Sequence, residues 1–232
     1  MTGPAGVSGR RRYNTMKKHT AIVIAVFASM IFLGGCSLTP SPTKTVDTFL
    51  QAVKTQDGEA LAEVYGAGEL DLFDKVAESD ENAEEEETDD ELTKVYEEQI
   101  VPKMLDFDYE LSNEQIDGDK ATVDVTVKTY SLGDAFTAFF SDFISQAFML
   151  AFSDASDEQI DALATTILSG KIADLTEKTY EKTTTISLTK ADGKWVVDPL
   201  ETGSDAVDAL TGGLVTAFKN MDDAASALGA EE

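Results

Sequence analysis

Cys36 is the residue whose chemistry is easiest to define from the sequence, because it is the only cysteine in the chain of 232 residues. A thiol can act as a nucleophile, bind a metal ion or carry a covalent modification. Cys36 follows an apolar run of thirteen residues, Ala21 to Leu33, and the small pair Gly34-Gly35, and the basic stretch Lys17-Lys18-His19 precedes that run. A basic segment, a short apolar segment and small residues in this order are typical of a secretory signal peptide.

The stretch Leu33, Gly34, Gly35 and Cys36 resembles the lipobox of bacterial lipoproteins. In that family the cysteine thiol receives a diacylglycerol group, and the chain is cleaved just before the cysteine. The resemblance implies a signal peptide over residues 1–35 and a mature protein that begins at Cys36. It also implies a lipid anchor that holds the protein on the extracytoplasmic face of the cell membrane.

A transmembrane helix is the alternative interpretation of the apolar run. Thirteen helical residues at 1.5 Å each reach about 20 Å, whereas the hydrocarbon core of a bilayer is about 30 Å thick. Residues 1–15 do not resemble a signal peptide. They fit a start codon assigned upstream of the true one, and translation would then begin at Met16. We therefore expect the protein to be attached to the membrane by lipid on Cys36 and not by a membrane-spanning helix.

Beyond the cysteine, composition excludes several classes of function. The 197 residues from Cys36 onward contain no arginine, no histidine and no second cysteine. They contain 13 lysines and 44 aspartates and glutamates, which gives a formal net charge of −31. This excludes hydrolases that activate a nucleophile through histidine, zinc sites of His or Cys ligands and nucleic-acid binding through a basic surface. We expect no metal and no cofactor, and a domain that is held together by packing rather than by disulfides.

The densest negative charge lies in the segment 78–91, where ten of fourteen residues are acidic. Repulsion between like charges and the lack of large apolar side chains favour a solvated loop. A specific calcium site is the alternative. An EF-hand loop alternates its ligands and turns at a glycine, and this segment does neither. We expect a flexible acidic loop without a specific metal site.

Alternating apolar and polar residues identify a sheet later in the chain. They predict a curved antiparallel sheet of about four strands in two hairpins, with turns at Asp117-Gly118 and Asp192-Gly193. Apolar residues at helical spacing predict helices that cover one face of this sheet, which makes the fold class α+β. We expect one such domain over residues 45–228, a tether over residues 36–44 and a tail over residues 229–232.

Capping residues and apolar spacing set the expected limits of the helices. A helical insert lies between the two hairpins, and a further helix follows them. Gly170 is expected to end one helix and Pro102 another, and Gly212-Gly213 predicts a kink or a close approach in the last helix. Ser156 with Gln159 resembles a capping box that opens the helix Ile160–Leu168. The other expected helices are one that begins at Pro42 after a Ser41 cap, Leu92–Met104 with its end near Pro102, Leu132–Phe152 and Ser204–Leu228.

The predicted helix Leu132–Phe152 carries the candidate binding surface. Its apolar residues cover about half of a helical wheel, which is wider than one contact with a sheet needs. One interpretation is that its rings pack against the sheet as core. The other is that they line an apolar pocket or groove. The width of the arc favours a mixture of the two, so we expect Phe139 and Phe148, at the edges of the arc, to be the least buried rings. The candidate residues are Phe136, Phe139, Phe140, Phe143 and Phe148.

Two stretches outside this helix carry a resemblance to a known family. Residues 45–61, TVDTFLQAVKTQDGEAL, and residues 191–198, ADGKWVVD, resemble the opening helices and the closing hairpin of uncharacterised Gram-positive lipoproteins. Those lipoproteins carry cystatin-like, nuclear-transport-factor-like cone domains. The resemblance implies that a first helix pair packs across a curved antiparallel sheet that a strand containing Trp195 closes.

The same fold hosts enzymes as well as binding modules. In its members that are similar to ketosteroid isomerase, an aspartate base faces a tyrosine donor in an apolar cavity. The resemblance implies Asp124, Asp142, Tyr130 and Tyr180 as candidates for such roles. No motif selects among them, so we assign no catalytic residue.

Three functions remain open at this point. The preferred hypothesis is a lipid-anchored, non-catalytic binding or interaction module at the cell surface, with an unknown protein or an apolar ligand as partner. The alternatives are an enzyme with Asp/Tyr acid–base chemistry in a cone cavity, and an acidic structural or cation-buffering envelope protein. A buried carboxylate of raised pKa beside a tyrosine hydroxyl would favour the enzyme, whereas a large exposed apolar surface would favour the binding module.

The lipobox interpretation predicts the behaviour of a single variant. Cys36→Ala should abolish incorporation of labelled lipid and leave an uncleaved precursor, because the thiol is the site of acylation. Metabolic labelling with a radioactive fatty acid and the electrophoretic mobility of the chain measure both effects. Ser37→Ala, one residue later, is the control and should be labelled and processed normally. A Cys36→Ala variant that is still labelled and cleaved would contradict the interpretation.

Overall fold

The computed structural model describes residues 40–66, 90–150, 152 and 155–229. The described residues belong to the compact unit Thr39–Glu232. The signal peptide 1–35 with its lipobox and residues 78–89 of the acidic segment lie outside the described residues, so the predictions for them stay predictions. Within the described ranges, none of the helices is both long and apolar enough to cross a membrane.

The described chain is α+β, as the sequence predicts. One open antiparallel sheet has four strands in the order β1-β2-β3-β4, and a helical insert separates its two hairpins. The strands are β1 (Asp108–Asp117), β2 (Lys120–Thr129), β3 (Tyr180–Ala191) and β4 (Lys194–Val197). The helices are α1 (Pro42–Thr55), α2 (Gly58–Val64), α3 (Asp90–Val95), α4 (Val101–Leu105), α5 (Leu132–Leu150), α6 (Asp157–Ala173), α7 (Asp205–Leu210) and α8 (Leu214–Gly229).

One face of the sheet is covered by α1 and α7 and forms what we call the sheet core. The predicted alternation in β2 is confirmed, because its inward valines are fully buried while the outward side chains stay accessible. The opposite face of the sheet is polar. The sheet core consists of Val46, Phe49, Leu50, Val53, Tyr65, Phe107, Ala121, Val123, Val125, Val127, Ile186, Leu188, Trp195, Val197, Val207, Ala209 and Leu210.

Helix α1 begins where its capping residues predict. The hydroxyl of Ser41 accepts a hydrogen bond from the amide of Lys44 at 3.2 Å, and Pro42 is the first helical residue. The carboxylate of Glu114, in the bulge of β1, accepts a second bond from the amide of Thr43 at 2.8 Å. An anion is favourable at a helix N-terminus, so this contact fastens α1 to the sheet. The last residues of the predicted tether 36–44 are therefore helical.

The helix that was expected to end near Pro102 instead continues through it. Helix α3 begins at Asp90, inside the predicted acidic loop, and passes through a π-helical turn, Tyr96–Ile100, into α4. In this turn the amide of Val101 donates to the carbonyl of Tyr96. A proline lacks an amide and its ring clashes with the preceding turn, and the wider π-helical turn before Pro102 accommodates it.

Helix α6 also runs further than its glycine predicts. The capping box of Ser156 and Gln159 is confirmed at its start. The helix does not end before Gly170 but continues to Ala173. A single glycine in a helix costs only about 1 kcal/mol, whereas the last turn buries Ile172 almost completely. The free energy gained by burying Ile172 therefore exceeds the cost of Gly170 in the helix.

The predicted single helix Ser204–Leu228 is two helices. Helices α7 and α8 are separated by a break in which Gly212 and Gly213 have φ angles of 63° and 88°. This left-handed region is open to glycine and unfavourable for most other residues. The expected kink at this pair is confirmed, and the break lets Leu210 of α7 and Val215 of α8 both pack in or against the sheet core.

Helices α5 and α6 pack against α3, α8 and the π-helical turn. They form a second core, which we call the helix core, so the interpretation that the phenylalanines of α5 pack against the sheet is wrong. The physical reason is that α1 and α7 already cover the inner face of the sheet. The helix core consists of Val95, Ile100, Met104, Leu132, Ala135, Phe139, Leu168, Ile172 and Leu214.

Trp195 lies in the sheet core and is 7 % exposed. Trp195→Ala should lower the free energy of unfolding by about 3–5 kcal/mol, because truncation of a buried large aromatic leaves a cavity. Urea denaturation measures this loss. Trp195→Phe is the control and should lose less, since it keeps an aromatic ring in the same space. An unchanged urea midpoint for Trp195→Ala would show that the indole does not support the core.

Candidate functional site

The C-terminal half of α5 exposes a row of large apolar side chains that we call the apolar strip. Along the helix, Phe140, Ile144 and Phe148 are spaced by four residues and therefore share one side. The rings of Phe148 and Phe152 lie 5.0 Å apart. Exposure rises along the strip from 39 % at its first residue to 78 % at its last. The strip consists of Phe140, Ile144, Phe148, Met149 and Phe152.

A small apolar pocket of about 100 Å³ lies where the strip begins. Phe136 lines it, with its ring 5.1 Å from that of Phe218 and 6.1 Å from that of Phe140. Because Phe140 belongs to the strip, pocket and strip form one continuous apolar surface. The pocket is lined by Tyr96, Ile100, Met104, Phe136, Thr202, Val207, Thr211, Leu214, Val215 and Phe218.

The five phenylalanines selected from the sequence occupy three different environments. Phe136 lines the pocket. Phe140 and Phe148 lie on the strip, whereas Phe139 and Phe143 pack in or against the helix core. Phe148 is 67 % exposed, as expected, but the expectation for Phe139 is wrong, since it is only 8 % exposed. Its ring stacks on that of Phe143 at 5.8 Å on the side of α5 that the helix core occupies.

The sequence also carried a signal for strip residues that we did not select. Ile144 and Phe152 continue the spacing of four residues from Phe140 and Phe148. The selection of phenylalanines alone missed this row. Phe218 of α8, which lines the pocket, is also 38 % exposed.

A second site, which we call the Asp208 cluster, lies at the junction of β3, α7 and α8. The carboxylate of Asp208 is 2 % exposed. It accepts hydrogen bonds from the Tyr180 hydroxyl at 3.0 Å, from Lys182 Nζ at 2.9 Å, and from the Thr216 amide and hydroxyl at 2.7 and 3.0 Å. Lys182 also contacts the exposed Asp205 at 2.7 Å. The cluster borders a polar cleft of about 210 Å³.

Close backbone packing holds this junction together. The amide of Gly133, in the first turn of α5, donates to the carbonyl of Gly212 at 2.9 Å. A Cβ atom at Gly133 would overlap the carbonyl of Gly213, and one at Gly213 would lie 2.9 Å from the ring of Tyr180. The absence of side chains at these positions is what lets α5 approach the break between α7 and α8.

Hydrogen bonding determines the charges of the Asp208 cluster. Burial acts to raise the pKa of Asp208, but the bonds from Lys182, Thr216 and Tyr180 outweigh it and lower this pKa below its ordinary 3.8. Burial, followed by the bond to Asp208, raises the pKa of Tyr180 to about 12. For Lys182, burial acts to lower the pKa, but the bonds to Asp205 and Asp208 prevail and raise it.

These charges make the cluster a structural link rather than an acid–base pair. Both carboxylate oxygens of Asp208 are bonded within the cluster, since Oδ2 accepts three of the four hydrogen bonds and Oδ1 accepts the fourth. A catalytic base near neutral pH needs a raised carboxylate pKa, and the pKa of Asp208 is lowered. The proton of Tyr180 is directed at Asp208, so it is not presented to the cleft.

The other residues that the cone-domain resemblance implied are not brought together. Tyr130 donates to Asp106 at 3.2 Å, and Asp142 pairs with Lys171 at 2.6 Å. Asp124 lies on the polar face of the sheet, where Asn113 and Thr185 donate to it. Over the described ranges, no group of three or more acidic, His or Cys side chains could hold a metal ion.

The sequence around Asp208 indicates a buried, paired carboxylate, although Asp208 was not among the predicted site residues. It is the only charged residue within the run Ala206–Leu210, whose other members are apolar and buried. A charged side chain in such a run is almost never fully buried unless it is paired. Its position therefore indicates a partner such as Lys182 from another element.

Asp208→Asn should reduce stability in a way that depends on pH. Because the folded pKa of Asp208 is lowered, its contribution is complete above about pH 3.8 and is lost as the pH falls further. We expect a loss of about 3 kcal/mol at pH 7, near the lower limit for breaking a buried ion pair, since Lys182 retains Asp205. Urea denaturation between pH 7 and 2.5 should show the difference from wild type shrinking in acid.

Asp205→Asn is the matched control, because Asp205 binds the same lysine but its side chain is 81 % exposed. It should change stability by less than about 1 kcal/mol, as exposed ion pairs do. Equal losses in the two variants, or a loss for Asp208→Asn that persists unchanged at pH 2.5, would contradict a buried ionised carboxylate.

Comparisons with known proteins leave the family unassigned. No protein-family model matches the chain, and no curated protein matches it in sequence. Among solved structures, it is similar to that of a candidate lipoprotein, ycdA, from Bacillus subtilis, with a TM-score of 0.39 and 16 % identity. The alignment covers 82 % of this chain and 55 % of that chain, so this chain spans about half the length of the protein it matches. A TM-score this low supports no argument, and the resemblance to cone domains stays a prediction.

Proposed function

We propose that this protein is a lipid-anchored, non-catalytic binding module on the extracytoplasmic face of the cell membrane. Its binding surface is the apolar strip together with the apolar pocket, and its ligand is an apolar segment of a partner protein. The observation that carries this proposal is the continuity of the exposed strip with the pocket through the rings of Phe136 and Phe140.

The strip supports an interaction surface because large apolar side chains are clustered on it. Single apolar residues on a surface are ordinary, whereas contiguous apolar patches mark binding sites. Five large side chains, Phe140 to Phe152, are exposed along one stretch of the chain, and Phe218 extends the patch at the pocket. Withdrawal of this area from water is the main source of free energy for an apolar partner.

The size of the pocket favours a protein partner over a free small molecule. Pockets for drug-sized ligands measure about 300–1,000 Å³, and this one measures about 100 Å³. A volume of this size accepts one apolar side chain. A partner that inserts one anchor side chain and lays further apolar residues along the strip fits both features.

The place of action rests on the lipobox and on the length of the tether. Pro42, where α1 begins, is six residue steps along the chain from Cys36. An extended chain spans at most about 3.6 Å per residue, so the tether holds the start of the domain within about 22 Å of the lipid. Membrane proteins and segments that emerge near the bilayer are therefore the accessible partners.

The alternatives have weaker support. The enzyme hypothesis asked for a buried carboxylate of raised pKa beside a tyrosine. Asp208 is buried and accepts a hydrogen bond from the Tyr180 hydroxyl, but its pKa is lowered rather than raised. The cation-buffering hypothesis depends on the acidic segment, most of which lies outside the described residues, and it stays a prediction.

A neutral hydrophobic dye tests whether the strip is an accessible apolar surface. Nile red should fluoresce on the soluble fragment Thr39–Glu232, and the double variant Ile144→Ser/Phe148→Ser should lose most of this signal. Its urea midpoint should stay close to that of wild type, since both side chains are already more than half exposed. The matched control is Ile116→Ser, which removes an equally exposed side chain from β1.

Crosslinking in cells tests the class of partner. A photoactivatable phenylalanine analogue at position 148 of the membrane-anchored chain should form a discrete adduct with a protein, and the same analogue at position 116 should not. Undiminished dye binding by the double variant, or crosslinks from position 148 to lipid alone, would contradict the proposal.

A further inference from the structure

Within the part of the chain that the structure describes, one edge of the sheet is left open part of the way along β3. Strand β4 is four residues long and pairs only with Leu188–Ala191. After one more bond, from the amide of Asp198 to the carbonyl of Ser187 at 2.9 Å, the chain leaves the sheet at Pro199. The preceding residues of β3, from Tyr180 to Ile186, pair with β2 on one side, and their other side borders a groove.

The backbone groups on that side are free to bind a further strand. Successive residues of a strand direct their amide and carbonyl groups to alternate sides. The bond between Asp198 and Ser187 places the odd-numbered residues on the open side, so Thr183 and Thr185 direct their backbone groups there. Among the described residues, these groups have no hydrogen-bond partner. Their separation of two residues is the repeat that an antiparallel partner strand requires.

The groove beside this edge has room for an extended segment. It measures about 600 Å³ and runs between β3 and the chain that leads into α7. None of its residues belongs to the apolar strip or its pocket. The groove is lined by Thr183, Thr184, Thr185, Ser187, Asp198, Pro199, Leu200, Glu201, Ser204, Asp205 and Ala206.

The other edges of the sheet are protected in ways that this one is not. Natural edge strands avoid pairing through bulges, charges or cover from another segment. β1 has a bulge between Ser112 and Gln115. The carboxylate of Glu114 in this bulge accepts a hydrogen bond from the Thr43 amide of α1. The outer side of β4 is covered where Tyr65 bridges to Val197. The open part of β3 has neither a bulge nor a proline. Its charged residues, Glu181 and Lys182, lie at its beginning, before Thr183 and Thr185.

The charge of the groove indicates the chemistry of its occupant. Asp198, Glu201 and Asp205 line it, and none of the other described residues around it is cationic. The neighbouring Lys182 is already bound to Asp205 and Asp208. A second copy of this chain would bring the same carboxylates to the same place, and like charges in apposition are unfavourable. A segment with lysine side chains complements the groove instead.

We propose that the open edge of β3 binds an extended, lysine-bearing segment of another protein by strand addition. The backbone of Thr183 and Thr185 supplies the hydrogen bonds, and the carboxylates of the groove select a cationic sequence. Recognition of this kind draws its affinity from main-chain bonds and its specificity from alternate side chains. This site is independent of the apolar strip, so either can fail without the other.

A synthetic heptapeptide of alternating lysine and valine, acetylated and amidated, is the probe. Fluorescence anisotropy with the detergent-solubilised full chain should give saturable binding that weakens with salt. Two further peptides carry N-methyl groups on the valine amides or on the lysine amides, and at least one of them should bind more than about tenfold more weakly, because it cannot donate to the edge. A peptide with glutamate in place of lysine should not bind.

Thr185→Pro removes the central amide of the edge and should weaken binding of the parent peptide about tenfold. Thr185→Val is the matched control. It loses the same hydroxyl bond to Asp124 as the proline variant but keeps the amide, so it should bind like wild type. In wild type, hydrogen exchange at the Thr183 and Thr185 amides should slow when the peptide is added.

Several results would overturn the proposal. They are equal affinity for the parent and both methylated peptides, unchanged exchange at Thr183 and Thr185 in the presence of peptide, and equal binding by the glutamate peptide. A wild-type dimer that Thr185→Pro converts to a monomer would also overturn it, since the occupant would then be a second copy. Loss of folding in Thr185→Pro leaves the methylated peptides and wild-type exchange as the deciding measurements.

Discussion

The buried carboxylate of Asp208 is the interaction on which the arrangement of the two cores depends. A buried charge costs several kcal/mol unless its surroundings replace water, and here Tyr180, Lys182 and Thr216 do so with four hydrogen bonds. These donors come from β3 and α8, while Asp208 lies in α7. One side chain therefore joins the sheet to the C-terminal helix at the point where Gly212 and Gly213 interrupt the helical path.

The division into a sheet core and a helix core follows from the limited area of the sheet. Only one of its faces is apolar, and α1 and α7 cover that face. The insert between the hairpins must therefore bury its apolar residues among helices. Helix α5 does this only in its first half, where Leu132, Ala135 and Phe139 are buried, and its second half extends past the packed neighbours. The apolar strip begins on the part of α5 that the helix core does not reach and ends at Phe152, just after the helix.

Charge gives the surfaces of the protein contrasting characters. The polar face of the sheet carries bonded side chains, such as the Thr126–Thr183 hydroxyl pair at 2.8 Å and the bond from Thr185 to Asp124. Asp198 and Glu201 line the groove beside β3, while the apolar strip itself carries no charge. With a net charge of −31 on the chain from Cys36 onward, copies repel one another. An apolar surface can then stay exposed without promoting self-association.

The sequence alone determined the strands, their hairpins, the α+β class, the helix start at Pro42 and the capping box of Ser156 and Gln159, because these depend on alternation and capping within a few residues. It also limited the available chemistry, since residue types that are absent cannot form a site. Only the tertiary structure decided that Phe139 is buried while Phe148 is exposed, and that Asp208 meets Tyr180 and Lys182. It likewise decided that β4 ends early and leaves β3 open. Periodicity shows that a helix has an apolar side but not which neighbour covers it, since this depends on contacts between residues far apart in the chain.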